Sequence, residues 1–139
     1  MKLLKRQKIA LAGLALYWPI LFIGTHISYQ PRWVNQLGNF DSFDKVLHCL
    51  AYFILALLAW FATNRHERLD WRRVSLWWTI AAIVVYAGLD EFLQQYVEGR
   101  ASDVKDFAAD MTGSVAAFLL VWLTSLLISK YKTAPAKPL

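Results

Sequence analysis

Cysteine is almost missing from this sequence of 139 residues, in which Cys49 stands alone. A single cysteine excludes an internal disulfide bond and a metal site made of several thiolates. Charged side chains are also scarce, at 18% of the residues, where a soluble domain has about 25%. The sequence has neither a glycine-rich phosphate loop nor a nucleophile-elbow motif. A disulfide-stabilised secreted domain and the common motif-bearing enzyme classes therefore describe this chain poorly.

Apolar residues fill the sequence instead, at 58% with seven tryptophans and a mean hydropathy of +0.35. They form four uncharged runs, each close to the length of about 20 residues that crosses a bilayer as a helix. The pattern predicts an all-α, integral membrane four-helix bundle with helices at about 9–28, 46–63, 74–95 and 103–129. A basic N-terminus before the first run also fits a signal peptide, but because no small-residue cleavage motif follows, we favour an uncleaved helix. The whole chain, 1–139, is then one membrane domain.

The basic residues between the runs indicate an orientation, because cytoplasmic loops of membrane proteins are enriched in lysine and arginine. Eleven of the 15 basic residues lie in the N-terminus, the loop between the second and third runs, and the tail. Eight of the ten carboxylates lie on the opposite side. We therefore predict a multi-pass protein with both its N- and C-termini in the cytoplasm. Since the basic residues occupy short flanks and not a soluble surface, no nucleic-acid partner is expected.

Ionisable residues of the predicted outer side recur at helical spacing near helix ends, so that they share faces of their helices. The stripes are Asp44, His48 and Tyr52 with Lys45 on the second helix, Tyr86, Asp90 and Gln94 with Glu91 on the third, and Asp103, Asp106 and Asp110 on the fourth. Ionisable groups near hydrocarbon are costly, and they usually face the bundle interior and meet partners there. We expect the three stripes to converge on one polar pocket.

Simpler interpretations compete with a pocket. Helix capping explains three polar residues at predicted helix starts, namely Asp41, Ser42 and Asp103. Two charges fit a solvated surface, Glu98 and Lys105. Two histidines, His26 and His66, belong to none of these stripes and fit packing roles. A salt-bridge network that only holds helices together is the main alternative for five residues, Asp90, Glu91, Arg100, Asp106 and Asp110.

Small residues mark where the helices are expected to pack closely. Gly113 and Ala117 form a small-xxx-small pair on the fourth helix. Ala87 and Gly88 lie near the same level on the third helix. This role is structural and requires no chemistry.

Four segments of the sequence, taken together, resemble the VanZ family. They are Asp44-Lys45-Val46-Leu47-His48, Leu89-Asp90-Glu91-Phe92-Leu93-Gln94, the stretch from Gly99 to Asp106, and Asp110-Met111-Thr112-Gly113. Each is weak alone, but they occur in order and at the predicted helix ends, over residues of about 41–129. Two positions differ from the family pattern, with Asp110 where asparagine is usual and Ala117 where a second glycine often occurs.

The resemblance implies a protein of the bacterial cytoplasmic (inner) membrane, in a group named after an accessory protein for teicoplanin resistance. From the charged residues of the pocket we expect recognition of an anionic cell-envelope lipid or lipid-linked precursor at the outer membrane face, and the resemblance adds an effect on glycopeptide susceptibility. The residues expected to contact the ligand are Asp44, Lys45, His48, Asp90, Glu91, Gln94, Arg100, Asp103, Asp106 and Asp110.

Charge supports this expectation, because Arg100 and Lys45 suit phosphate oxygens and the carboxylates suit a divalent cation such as Mg²⁺. Two alternatives stay open. One is a membrane enzyme acting on a lipid-linked phosphate, with His48 or Glu91 as general acid or base. The other is a solute or proton pathway, against which stands the clustering of the charges at one end.

Overall fold

Each apolar run of the sequence forms a helix in the computed structural model, which describes residues 3–27, 40–64, 70, 73–98, 100 and 102–133. The helices are α1 (Lys5–His26), α2 (Phe40–Thr63), α3 (Val74–Gln94) and α4 (Val104–Thr133), and the described ranges contain no strand. All four are long and apolar enough to cross a membrane. The shortest, α3, has 21 residues and extends about 31 Å at 1.5 Å per residue. The predicted all-α class with four membrane-spanning helices is confirmed.

The helices do not end where the apolar runs end. α2 begins at Phe40, six residues before the predicted start, and α4 continues to Thr133. α1 is shifted toward the N-terminus, to Lys5–His26, and α3 runs past its apolar boundary to Gln94 as expected. Most polar residues are adequate helix formers, so a helix can continue beyond the segment that lies in the hydrocarbon. The apolar run predicts the membrane-crossing part of a helix and not its ends.

Several sequence predictions lie outside the described residues. They are the turn at Gly99, the packing role of His66, and the caps expected from the side chains of Asp41 and Ser42.

Consecutive helices run antiparallel, and α2 is the central one, packed against α1, α3 and α4. The buried core lies along its inner face, with Tyr52, Ala56 and Trp60 from α2 meeting Ala87 from α3 and Ala117 from α4. We call the end where α1 and α3 finish and α2 and α4 start the polar end, and the opposite one the basic end. Many apolar side chains of the outer faces are exposed, as suits a bundle surrounded by lipid.

Two side-chain hydrogen bonds tie α1 to the backbone of α2. The Tyr17 hydroxyl donates to the carbonyl oxygen of Ala51 at 2.9 Å, and Gln7 Nε2 donates to that of Ala62 at 3.2 Å. At the basic end the hydroxyls of Thr63 and Thr79 lie 2.8 Å apart and join α2 to α3. These contacts are uncharged, in contrast to the contacts of ionisable side chains at the polar end.

Gly113 sets the distance between α2 and α4. A Cβ atom at this position would lie 1.9 Å from the carbonyl oxygen of Cys49 on α2, which is far inside van der Waals contact. Ala117, one turn farther along α4, is buried in the same contact region. The expected close packing at Gly113 is therefore confirmed. Gly88 meets nothing within 4 Å, so the close contact predicted there is wrong, because this residue faces outward.

The substitution Gly113→Ala tests this contact, because the added methyl group must push two backbones apart. We expect a loss of about 1–3 kcal/mol in the free energy of unfolding. The measurement is unfolding by sodium dodecyl sulfate titration in detergent micelles, followed by circular dichroism. Gly88→Ala is the matched control and is expected to be neutral or slightly stabilising, since alanine is the better helix former. Equal stability of the two variants would contradict the close approach.

Candidate functional site

The polar end brings together side chains from all four helices and from the connection between α3 and α4. The predicted residues found there are Asp44, Lys45, His48, Asp90, Glu91, Gln94, Arg100, Asp103, Asp106 and Asp110. The predicted convergence of the three stripes is therefore observed in the fold. Their role in binding a ligand stays a prediction.

His48 and Asp110 form a buried pair between α2 and α4. Nδ1 of His48 lies 2.9 Å from Oδ1 of Asp110, and the two side chains are 4% and 0% exposed. Gly113 lies one turn beyond Asp110, so the close approach of the two helices places imidazole and carboxylate within hydrogen-bond distance. The pair is charge-assisted if the imidazole is protonated, and such hydrogen bonds are stronger than neutral ones.

Lys45 lies one turn before His48 on α2 and faces two carboxylates of α4. Its Nζ is 3.8 Å from Oδ2 of Asp103 and 3.6 Å from Oδ1 of Asp106. Asp106 is buried, whereas Asp103 and Lys45 are partly exposed. Beside them, Asp44, His48 and Asp106 each offer a ligand atom, and these three atoms lie within 4.8 Å of one another. Among the described residues, this is the arrangement that could hold a metal ion.

Asp90 is the centre of a second set of contacts, between α1 and α3. Thr25 of α1 donates its hydroxyl proton to Oδ1 of Asp90 at 3.0 Å, and Nδ1 of His26 lies 3.6 Å from the same oxygen. Gln94 Nε2 approaches Oδ2 at 3.5 Å, and Arg100 donates from one terminal nitrogen to Oε1 of Gln94 at 3.2 Å. A carboxylate that is only 1% exposed thus has one side-chain donor for each of its oxygens, and buried charges require such partners.

Asp103 and Glu91 connect the two sets. Oε1 of Glu91 accepts a hydrogen bond from the backbone N–H of Asp103, just before α4 begins. Oδ1 of Asp103 accepts from the backbone N–H of Lys105 at 2.9 Å, which is the N-cap bond expected of Asp103. Asp103 therefore caps α4 with one oxygen and faces Lys45 with the other. The carboxylates at the start of α4 also suit the positive end of its dipole.

A cavity of about 260 Å³, which we call the polar cavity, opens between α1 and α2 at this end. Its polar lining consists of Thr25, Asp44, His48 and Arg100, and its other walls are apolar side chains with the ring of Tyr17. Of the ten predicted residues, Asp44, His48 and Arg100 line this cavity. The remaining seven belong to the contacts that hold the helix ends around it. A pocket and a salt-bridge network, which were alternatives from the sequence, therefore occur side by side.

Thr25 and His26 of α1 were missed as members of the site. His26 was interpreted as a packing histidine because the first run carries no charged residue near it. Its position at the end of that run, at the same membrane level as Asp90, was the available signal. The contact between His26 and Asp90 follows only from the packing of α1 against α3.

Comparison with known proteins identifies the family. The sequence model of the VanZ/LLP1 family matches residues 5–127. The chain belongs to the VanZ/LLP1 family. The match begins at the start of α1, so the family region is longer than the predicted 41–129 and includes the helix that carries Thr25 and His26.

A curated relative of this VanZ/LLP1 chain is an uncharacterized protein of the yeast Schizosaccharomyces pombe, which is 29% identical over 108 residues. The alignment covers 77% of this chain and 60% of the yeast protein. No solved structure matches. Because similarity extends to a eukaryote, membership in the family does not by itself imply a bacterial protein.

The substitution Thr25→Val tests how strongly Asp90 depends on α1. Removing the hydroxyl leaves a buried carboxylate without one of its donors, and we expect a loss of about 1–3 kcal/mol in the free energy of unfolding. Thr124→Val is the matched control, because the Thr124 hydroxyl is exposed and bonds only carbonyls of its own helix. Thermal unfolding in detergent, followed by circular dichroism, measures both. Equal stability of the two variants would show that the Thr25 contact contributes little.

Proposed function

We propose that this VanZ/LLP1 membrane protein recognises an anionic, phosphate-bearing lipid, such as a lipid-linked precursor of the bacterial cell envelope, at its polar end. The proposal places the protein in the bacterial inner membrane, with both termini in the cytoplasm and the polar end outward. The four membrane-spanning helices support a lipid bilayer as the surroundings. The basic flanks support the orientation, with the polar end outward.

The observation that carries the proposal is the amphiphilic lining of the polar cavity. Thr25, Asp44, His48 and Arg100 form its polar part, while Ile20, Leu21, Leu47 and Ala51 form apolar walls. A lipid has the same division, with a charged headgroup joined to an apolar chain. A cavity at the level where a helix bundle leaves the hydrocarbon suits such a ligand better than a small polar solute.

Arg100 is the residue we assign to the phosphate. Arg100 lines the polar cavity, and one of its terminal nitrogens donates to Gln94. Its Nε is buried and makes no hydrogen bond within the part of the chain that the structure describes. Arginine binds phosphate oxygens through two parallel N–H donors. Lys45, the other cation expected to bind phosphate, faces Asp103 and Asp106, so its role is to balance those carboxylates.

Catalysis is the second candidate, and the His48–Asp110 pair favours it. A histidine whose second nitrogen is held by a buried carboxylate is the arrangement of a general base with its orienting group. The substrate would be a lipid-linked phosphate in the polar cavity. A solute or proton pathway has less support, because Leu55, Ala56 and Ile83 occupy the core between the charged end and the uncharged contacts at Thr63 and Thr79.

Lipid binding is tested with the purified protein in detergent micelles and a short-chain prenyl pyrophosphate as the probe. We expect Arg100→Ala to weaken binding about tenfold or more, as loss of a charge-assisted hydrogen bond would. Lys105→Ala is the control, since this lysine is exposed at the same end outside the cavity. Arg100→Lys, which keeps the charge and loses the two parallel N–H donors, should bind with intermediate affinity.

Equal affinity of Arg100→Ala and the unsubstituted protein would overturn the recognition proposal. Release of inorganic phosphate from the probe, with or without Mg²⁺, would replace it with catalysis. In bacterial cells, Arg100→Ala should also remove any change in teicoplanin susceptibility that the expressed protein causes.

The orientation is tested separately by labelling introduced cysteines in intact cells. In a Cys49→Ser background, Glu98→Cys near the polar end should react with a membrane-impermeant maleimide added outside. Asp70→Cys, in the connection between α2 and α3, should react only after the membrane is permeabilised. The reverse pattern would place the polar end in the cytoplasm and exclude an outer-leaflet ligand.

A further inference from the structure

We infer that Asp44, His48 and Asp106 form a binding site for a divalent transition-metal ion such as Zn²⁺ or Mn²⁺. The inference goes beyond lipid recognition and does not depend on it, because it stands on the placement of the ligand atoms. Those atoms come from two helices, α2 and α4, whose separation is set by the backbone contact at Gly113.

The spacing suits one ion. Nitrogen and oxygen ligands lie about 2.0–2.2 Å from zinc, so two ligands of one ion are at most about 4.4 Å apart. The ligand atoms of Asp44, His48 and Asp106 already lie within 4.8 Å of one another. Side-chain rotations that bring these atoms closer together would close the site around an ion.

His48 is held in the orientation of a metal ligand. Its Nδ1 is engaged with the fully buried Asp110 at 2.9 Å, which leaves Nε2 as the nitrogen for an ion. Histidines that bind metals commonly donate their other ring N–H to a carboxylate, which fixes the tautomer and raises the basicity of the ligand. Asp110 thus acts as the positioning residue of the site.

Asp106 supplies an independent indication that a cation belongs here. Its side chain is 9% exposed, and its buried Oδ1 accepts no hydrogen bond from the described residues. Buried carboxylate oxygens normally have a donor. Nζ of Lys45 lies 3.6 Å from this oxygen, which is longer than a hydrogen bond. The ammonium group balances the negative charge of Asp106 but donates no hydrogen bond to Oδ1. A metal ion would compete with the ammonium group for this oxygen.

The ligand types decide which metals fit. One imidazole nitrogen with two carboxylate oxygens suits zinc, manganese or ferrous iron, whereas Mg²⁺ and Ca²⁺ prefer oxygen ligands alone. Three protein ligands leave a coordination position for water or for an oxygen of another molecule. The Mg²⁺ ion expected from the carboxylates of the sequence is therefore the weaker candidate at this cluster.

The test is isothermal titration of tag-free, chelator-treated full-length protein in detergent with ZnCl₂, MnCl₂ and MgCl₂. We expect one Zn²⁺ per chain and affinity for Mg²⁺ at least about tenfold lower. Asp44→Asn and His48→Gln should each weaken Zn²⁺ binding by about tenfold or more. Glu98→Gln, a change of an exposed carboxylate near the same end, is the control and should bind as the unsubstituted protein does. Circular dichroism and gel filtration establish that each variant is folded.

Lys45→Gln gives a result that loss of folding cannot imitate. Removing the competing ammonium should tighten Zn²⁺ binding several-fold while keeping one ion per chain. The inference is overturned if the unsubstituted protein binds no stoichiometric Zn²⁺ or Mn²⁺, or if Asp44→Asn binds as tightly as Glu98→Gln. Equal affinity for Mg²⁺ and Zn²⁺ would likewise exclude His48 as a ligand.

Discussion

The close approach of α2 and α4, where Gly113 lies against the carbonyl of Cys49, is the contact on which the polar end depends. It places Asp110 beside His48, and Asp106 beside Lys45 and Asp44, within one helical turn. A small residue in the interface lets two helix backbones approach closely, which shortens the distance that facing side chains have to bridge. The close approach at Gly113 therefore favours the short contacts between the ionisable groups of these two helices.

A second set of contacts joins α1 to α3. Asp90 is nearly inaccessible; Thr25 and Gln94 donate to its carboxylate, and the ring of His26 lies 3.6 Å from Oδ1. Arg100 reaches this set through Gln94 and also lines the polar cavity. A buried carboxylate without such partners would be very costly near hydrocarbon. The same contacts that stabilise the helix ends thus hold the cationic wall of the cavity in place.

Charge balance separates the residue assigned to the lipid phosphate, Arg100, from the carboxylates assigned to the metal ion, although Asp44 and His48 also line the polar cavity. Around α2 and α4, carboxylates outnumber the cationic side chains, and Lys45 already balances Asp103 and Asp106. Such a cluster attracts a positive ion. Arg100 lies toward α1, where apolar walls continue from the polar lining, and this part suits an anionic amphiphile. The two halves of the polar end are chemically distinct although they are adjacent.

The sequence by itself determined the four membrane-spanning helices, the charged end and the membership in the VanZ/LLP1 family. Hydrocarbon thickness and helical periodicity are local constraints, so run length predicted the spans and i, i+4 spacing predicted that His48, Asp90 and Asp110 face inward. Only the tertiary structure decided the partners. Whether Lys45 or Arg100 lines the cavity, and whether His26 joins Asp90, depends on how each helix is rotated and how close its neighbour lies. That rotation results from packing at positions such as Gly113, which no single stretch of sequence specifies.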